Sequence, residues 1–102
     1  MMWTSEIEAA AERIKGHVLR TPVVTVESGF GLAHSIEMKL EQLQHTGTFK
    51  ARGASNTLLS QEVPAAGLVA ASGGNHGAAV AYAAHKLGHK ARIYVPEMAG
   101  PA

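Results

Sequence analysis

A lysine stands where a polar loop meets a segment of helix-forming composition. Residues 45–54 read His-Thr-Gly-Thr-Phe-Lys-Ala-Arg-Gly-Ala, which places the lysine at position 50. Such a lysine is ordinarily a solvated side chain. Two neighbours favour a chemical role, because Phe49 supplies a flat apolar ring and Gly47 lets the backbone approach a ligand closely. An amine whose pKa is lowered by apolar surroundings, or by a cation such as Arg52, can form a Schiff base with an aldehyde.

A second segment of interest reads Ser-Gly-Gly-Asn-His-Gly over residues 72–77, between a predicted strand and a predicted helix. Glycines expose backbone N–H groups, and the start of a helix adds partial positive charge. The segment therefore favours a site for a small anion such as a carboxylate or a phosphate. An ordinary strand-to-helix turn with capping residues remains the alternative, and the spacing is not that of a dinucleotide fingerprint or a Walker loop.

The first part of the chain predicts two helices that could support the lysine. Thr4 or Ser5 can cap a first helix that ends near Gly16. Its apolar residues recur at helical spacing and are expected to pack on the rest of the fold. They are Ile7, Ala10, Ala11, Ile14 and Val18. A second helix is predicted over 49–60, with Phe49, Ala54 and Leu58 on its buried side.

The strands are predicted from short β-branched runs and from alternation. Residues 23–26 form one such run, and apolar and charged residues alternate from Ile36 to Glu41. From Leu68 onward the order is a strand over 68–71, the glycine-rich turn, a helix over 78–87 capped by Gly88, and a strand over 91–95. This order predicts a βαβ unit and a parallel α/β sheet.

Composition limits the remaining possibilities. The chain has 102 residues, a formal net charge of +1 and no cysteine, which predicts one small domain without disulfides. Near-neutral charge without a basic run gives no reason to expect nucleic acid, and no segment predicts a signal peptide or a membrane span. We expect a cytoplasmic protein. The six histidines predict no metal site.

The two segments together resemble the fold type II pyridoxal-phosphate enzymes, and in particular the serine/threonine dehydratase and serine racemase branch. Residues 43–54 are close to the lysine motif of that branch, and residues 72–77 resemble its Ser-x-Gly-Asn-His loop at the expected distance downstream. Thr21-Pro22 and Tyr94-Val95-Pro96 also lie where the family has similar residues. Cysteine synthases differ at both places. Their motifs look like Lys-Asp-Arg and Gly-Asn-Thr, where this chain has Lys50-Ala51-Arg52 and Gly74-Asn75-His76.

The resemblance implies a role for each residue of the candidate site. Lys50 would hold pyridoxal 5'-phosphate as a Schiff base and move the proton at the substrate α-carbon. Phe49 would pack on one face of the pyridine ring, and Asn75 would hydrogen-bond to its 3-hydroxyl oxygen. The substrate carboxylate would be held by the loop. The implied substrate-binding residues are Ser72, Gly73, Gly74, Asn75 and His76.

Gly73 departs from the serine racemases, which resemble this chain but carry a serine there as a second proton carrier. Racemisation needs an acid or base on each face of the α-carbon, whereas β-elimination can use Lys50 alone. The expected activity is therefore that of a serine/threonine dehydratase, an ammonia-lyase that converts a β-hydroxy amino acid to a 2-oxo acid and ammonia. A serine racemase-like enzyme and a non-catalytic interaction module of the same family are the alternatives.

The resemblance also implies the architecture. We expect part of a three-layer parallel sheet of the type seen in the tryptophan synthase β-like fold, with 1–62 in the large cofactor domain and 63–102 beginning the small domain that closes over the substrate. The phosphate-binding loop and the contact to the pyridine nitrogen lie further along in the family. We therefore expect a truncated chain, inactive or nearly so by itself, from a protein that forms a homodimer or homotetramer.

Overall fold

The computed structural model describes residues 2–100, which fold into three α-helices, four short strands and two single turns of 3₁₀ helix. The helices are α1 (Met2–Ile14), α2 (Lys50–Leu59) and α3 (Asn75–Lys86). The strands are β1 (Val23–Val26), β2 (Ile36–Lys39), β3 (Leu68–Ala71) and β4 (Ala91–Tyr94), and the 3₁₀ turns are Glu41–Leu43 and His45–Gly47. Within this described part, no helix is both long enough and apolar enough to cross a membrane.

The strands form two separate two-stranded sheets. β3 and β4 pair in parallel, with Leu68 opposite Ala91 and Ala71 opposite Tyr94, and α3 connects them. This confirms the predicted βαβ unit and the α/β class. β1 and β2 pair antiparallel, with Val23 opposite Lys39, a pairing that the sequence did not predict.

The core lies where α2 packs against α3 and where α3 covers one face of the β3–β4 sheet. Small side chains dominate it, which allows the two helices to approach closely. Its buried members are Ala54, Leu58, Ala79, Val80, Ala83 and Ala84. The strands contribute through one face, since Leu68, Ala70 and Ile93 pack on this cluster while Val69 is exposed. Both sides of residue 62 thus contribute to one core, and the division into two domains there stays a prediction.

The first helix differs from its prediction at its start. α1 begins at Met2, so Thr4 and Ser5 lie inside the helix and do not cap it. Its predicted buried face is covered only toward its carboxyl end, where Ile14 is buried, whereas Ile7 is 67% exposed. Only this end is covered because α1 contacts α2 near Arg13, whose Nη1 donates to Asn56 Oδ1 at 2.6 Å.

The second helix confirms two of its three predicted core residues. Ala54 and Leu58 are buried, but Phe49 is 61% exposed because it immediately precedes the helix, at the end of the loop. Its aromatic ring is therefore presented to solvent beside Lys50, and the prediction that it is part of the core is wrong.

Candidate functional site

Lys50 is the first residue of α2, and its side chain is exposed. Its backbone N–H donates to Thr48 Oγ1 at 3.3 Å, and its Nζ lies 5.4 Å from the centroid of the Phe49 ring. Within residues 2–100, no carboxylate forms an ion pair with this amine. The structure therefore presents a primary amine and a flat apolar ring side by side, both accessible to a ligand.

The loop before Lys50 turns sharply and is anchored at its start. Thr46 and Gly47 both have left-handed backbone conformations, with φ of 64° and 81°. Gln44, only 4% exposed, fixes the beginning of the turn through its amide group. Its Oε1 accepts from the N–H of Leu19 at 2.8 Å and of His45 at 3.0 Å, and its Nε2 donates to Leu19 O at 2.8 Å.

An ion pair lies beneath the first turn of α2. Arg52 donates from Nε to Glu41 Oε1 at 2.5 Å and from Nη2 to Oε2 at 3.1 Å, and Thr21 donates its hydroxyl proton to the same carboxylate. The hydrogen bond from Arg52, aided by the one from Thr21, lowers the pKa of Glu41 from 4.5 to about 2, although burial acts against this shift. The same pairing raises the pKa of Arg52. The sequence suggested Arg52 as the cation beside the Lys50 amine, but in the structure the Arg52 guanidinium pairs with Glu41.

Glu41 was not among the predicted site residues. The sequence pattern placed it on the charged face of the second strand, but β2 ends at Lys39 and Glu41 begins a 3₁₀ turn. The alternation of apolar and charged residues continues through Glu41 without a break. It therefore gives no sign that the strand ends before this residue.

The second segment forms the junction between β3 and α3. Ser72 donates its backbone N–H to Tyr94 O at 3.0 Å, and its Oγ accepts from the N–H of Gly74 at 3.2 Å. Gly74 precedes the helix, and Asn75 and His76 occupy its first turn with exposed side chains. The first N–H groups of a helix lack acceptors within the helix, so this junction offers donors to an anion. The helix begins three residues before its predicted start at Ala78.

Two glycines of this segment lie against other parts of the chain. A Cβ added to Gly77 would lie 3.0 Å from Ile93 Cγ2 and 3.2 Å from Ser72 Cβ. Glycine at 77 therefore allows the first turn of α3 to pack directly on the ends of β3 and β4. A Cβ added to Gly73 would lie 3.2 Å from Ala99 Cβ, so this glycine faces the turn that follows β4.

The two predicted segments are connected through packing and not through polar contacts. None of the hydrogen bonds described within residues 2–100 joins Lys50 to residues 72–77. His76 lines a cavity of about 170 Å³ together with residues of α2, among them Thr57 and Leu58. The packing of α2 on α3 thus places both segments on one structural unit. In the described chain, no group of three histidine, aspartate or glutamate side chains could hold a metal ion.

Comparison with known proteins assigns the class. The chain belongs to the family of pyridoxal-phosphate dependent enzymes, whose family model matches residues 14–102. A catabolic L-threonine dehydratase of Staphylococcus aureus (strain USA300) is 42% identical over 104 residues, which cover 95% of this chain and 29% of the relative. The chain therefore spans less than a third of the length of that relative.

Solved structures agree with this assignment. The structure of maize serine racemase superposes with a TM-score of 0.86 at 38% identity, over 94% of this chain and 30% of that one. A T.th. threonine deaminase superposes with a TM-score of 0.79 at 45% identity, over 91% of this chain and 33% of that one. The chain is similar to both a deaminase and a racemase, so the comparisons define the family and the cofactor but not the reaction.

The exposed residues fit pyridoxal 5'-phosphate, the cofactor of this family. A primary amine is the group that reacts with the aldehyde of this cofactor, and Lys50 is accessible for that reaction. An apolar ring suits the face of a pyridine, and the Phe49 ring stands beside the amine.

Proposed function

We propose that this chain carries the lysine-bearing part of a serine/threonine dehydratase, an ammonia-lyase that eliminates the β-hydroxyl of a small amino acid to give a 2-oxo acid and ammonia. The observation that carries the proposal is the accessible Lys50 amine beside the Phe49 ring, in a chain of the pyridoxal-phosphate family. The threonine dehydratase among its relatives supports this reaction type.

Each residue of the site has a proposed role. Pyridoxal phosphate, when bound, withdraws electrons from the α-carbon of the substrate and so acidifies its proton. Lys50 would hold the cofactor covalently through its amine and, as a free amine, would take the α-proton of the substrate. Phe49 covers one face of the pyridine ring and excludes water from it. Asn75 donates a hydrogen bond to the 3-hydroxyl oxygen.

The junction between β3 and α3 is the proposed carboxylate site. The Ser72 hydroxyl and the backbone N–H groups of Asn75 and His76 would bind the substrate carboxylate. The backbone of Gly73 would line this site, and Gly74, where an added Cβ has nothing within 4 Å, would leave room for the carboxylate. A carboxylate at the start of a helix gains charge-assisted hydrogen bonds from groups that have no acceptor within the helix. Orientation of the substrate by these donors would keep its α-proton near Lys50.

Gly73 supports elimination over racemisation. Glycine offers no group that could deliver a proton to the second face of the α-carbon, and racemisation needs such a group. A serine racemase-like activity is the second candidate, and the similarity to maize serine racemase favours it. Release of D-serine from L-serine would establish racemisation, whereas release of a 2-oxo acid from L-threonine or L-serine would establish elimination.

The larger assembly is part of the proposal. Residues 1–62 would belong to the cofactor domain and 63–102 to the domain that closes over the substrate, in a protein that forms a homodimer or homotetramer. The chain spans 29% of its dehydratase relative. By the family resemblance, the groups that hold the cofactor phosphate and the pyridine nitrogen would lie further along than residue 102. We therefore expect residues 1–102 alone to release little or no 2-oxo acid.

The test is covalent trapping of the cofactor. Pyridoxal phosphate is added to the protein, the absorption of the lysine-bound cofactor is recorded, and borohydride reduction followed by peptide mass spectrometry locates the label. We expect the label at Lys50, its loss in Lys50→Ala, and its retention in the control Lys15→Ala, which removes an exposed lysine just after α1. An absorption band that is unchanged in Lys50→Ala would refute the assignment.

A further inference from the structure

The loop that leads to Lys50 is closed by an ion pair between Glu41 and Arg52. Glu41 precedes this loop and Arg52 follows it, eleven residues apart in sequence. Their two hydrogen bonds, of 2.5 and 3.1 Å, join the chain on one side of the loop to the first turn of α2 on the other. A bidentate contact of this kind fixes orientation as well as distance, because both the guanidinium and the carboxylate are planar.

A third segment holds both ends of this loop. Arg52 Nη2 also donates to Leu19 O at 3.2 Å, and the buried Thr21 donates to Glu41. The Gln44 amide accepts from and donates to the backbone of Leu19, at 2.8 Å in each case. Both ends of the loop are therefore anchored to residues 19–21 as well as to each other.

Arg52 acts on the backbone and not on the amine of Lys50. Residues two positions apart on a helix do not face each other, so Lys50 and Arg52 leave the first turn of α2 in different directions. Arg52 is directed to Glu41 and Leu19, whereas Lys50 Nζ lies beside the Phe49 ring. Within residues 2–100 the Lys50 amine has no ion pair, so its direction depends on the backbone from which the side chain extends.

We infer that Glu41 and Arg52 are positioning residues for Lys50, because their ion pair sets the direction in which the first turn of α2 presents the reactive amine. The inference depends on the proposed function, since the position of Lys50 matters only if its amine reacts with the cofactor. It concerns geometry: the pair holds the amine where the aldehyde of a bound cofactor can meet it.

The experiment uses the proposed enzyme, with residues 1–102 as its lysine-bearing part, mixed with pyridoxal phosphate. Arg52→Lys keeps the positive charge but removes the paired contact, and Glu41→Gln keeps the shape but removes the negative charge. Arg13→Lys is the matched control, because Arg13 also donates to α2, but through an exposed hydrogen bond to Asn56 and not to Glu41. Folding of each variant is verified by circular dichroism and by its urea midpoint.

The measurements are the rate of borohydride-trapped labelling at Lys50 and the division of any loss between kcat and KM for threonine. If the amine is misdirected, labelling is roughly tenfold slower in Arg52→Lys and in Glu41→Gln. The loss of activity then appears in kcat, whereas KM stays within about twofold of the parent value. Arg13→Lys labels at the parent rate. A loss of stability alone would not lower kcat per folded molecule at constant KM, because the molecules that remain folded would still have a correctly placed lysine.

Each outcome has one meaning. If the parent protein carries no label at Lys50, the proposed function fails, and the inference with it. If the parent is labelled and the folded variants label at the same rate, the inference alone is overturned. If neither variant folds, the pair is a requirement for folding and not a positioning device, which also overturns the inference.

Discussion

The ring of His45 is stacked on the ring of Tyr82, with centroids 4.9 Å apart and planes inclined by 26°. His45 belongs to the loop that leads to Lys50, and Tyr82 lies on α3, the helix that starts with Asn75. This contact therefore joins the loop of one predicted segment to the helix of the other. Lys86 Nζ lies 6.0 Å from the centroid of the Tyr82 ring and adds a weaker contact.

The stacked pair predicts a measurable coupling. In a double-mutant cycle of His45→Ala and Tyr82→Leu, urea unfolding should give an interaction free energy of about 0.5–1.5 kcal/mol, the usual range for aromatic pairs. Tyr94→Leu, combined with His45→Ala, is the control, because Tyr94 is exposed on β4 and its hydroxyl contacts Arg92. A coupling in the first cycle no larger than in the control cycle would contradict the stacking.

Gly77 predicts a loss of stability on substitution by alanine. An added Cβ would lie 3.0 Å from Ile93 Cγ2, so Gly77→Ala should lower the free energy of unfolding by about 1–3 kcal/mol, as overpacking does. Gly53→Ala on α2 is the matched control, since a Cβ there has nothing within 4 Å. That control should gain about 0.5–1 kcal/mol from the higher helix propensity of alanine. Equal effects in the two variants would argue against close packing at residue 77.

Glu41 predicts a specific pH dependence of stability. Its pKa falls from 4.5 to about 2 on folding, so the ionised carboxylate stabilises the folded chain fully above pH 4.5. This stabilisation is lost as the pH falls from 4.5 through about 2. Screening at a pair whose arginine side chain is 31% exposed limits it to on the order of 2 kcal/mol.

The comparison that isolates Glu41 is the parent chain against Glu41→Gln. The difference between their free energies of unfolding should be largest above pH 4.5 and should shrink toward pH 2. Glu8→Gln, at an exposed position of α1, is the control for the removal of one negative charge. A difference between the parent and Glu41→Gln that stays constant from about pH 5 to about pH 2 would contradict the lowered pKa.

For the proposed dehydratase, we predict that Gly73→Ser changes the ratio of its products. The hydroxyl would supply a second proton carrier, so the ratio of D-serine to pyruvate formed from L-serine should rise above that of the parent. The added Cβ lies 3.2 Å from Ala99 Cβ, so the turn after β4 must shift slightly, and Gly73→Ala controls for that shift without adding a hydroxyl. An unchanged product ratio in Gly73→Ser would remove Gly73 as the determinant of reaction type.

The sequence predicted the elements of this chain better than their boundaries and contacts. Strand β3 was predicted with its observed bounds because its short apolar run lies between Gly67 and the glycine-rich turn that starts at Ser72. Helix α3 was predicted three residues short, because Gly77 argues for a loop when only local propensity is considered. Its close contact with Ile93 explains the difference, and that contact is not visible in the sequence.

The candidate site was predictable where it depended on motifs and not where it depended on long-range contacts. The exposed Lys50 beside Phe49, and the position of Asn75 at a strand-to-helix junction, agree with the predicted arrangement, although their roles stay predictions. The ion pair of Glu41 with Arg52 could not be predicted, since nothing in the spacing indicates that Glu41 leaves the strand to meet the helix. Side-chain partners across a loop depend on the loop conformation, which two left-handed residues determine here.

One of those two residues is Thr46, a β-branched residue held at φ 64°. Glycine adopts this conformation without strain, whereas a non-glycine residue costs on the order of 1 kcal/mol there. A Thr46→Gly chain would relieve that strain but would have a more flexible unfolded state and a less rigid loop. The segment that presents Lys50 therefore holds a strained residue, and a glycine at position 46 would exchange backbone strain for flexibility of the loop.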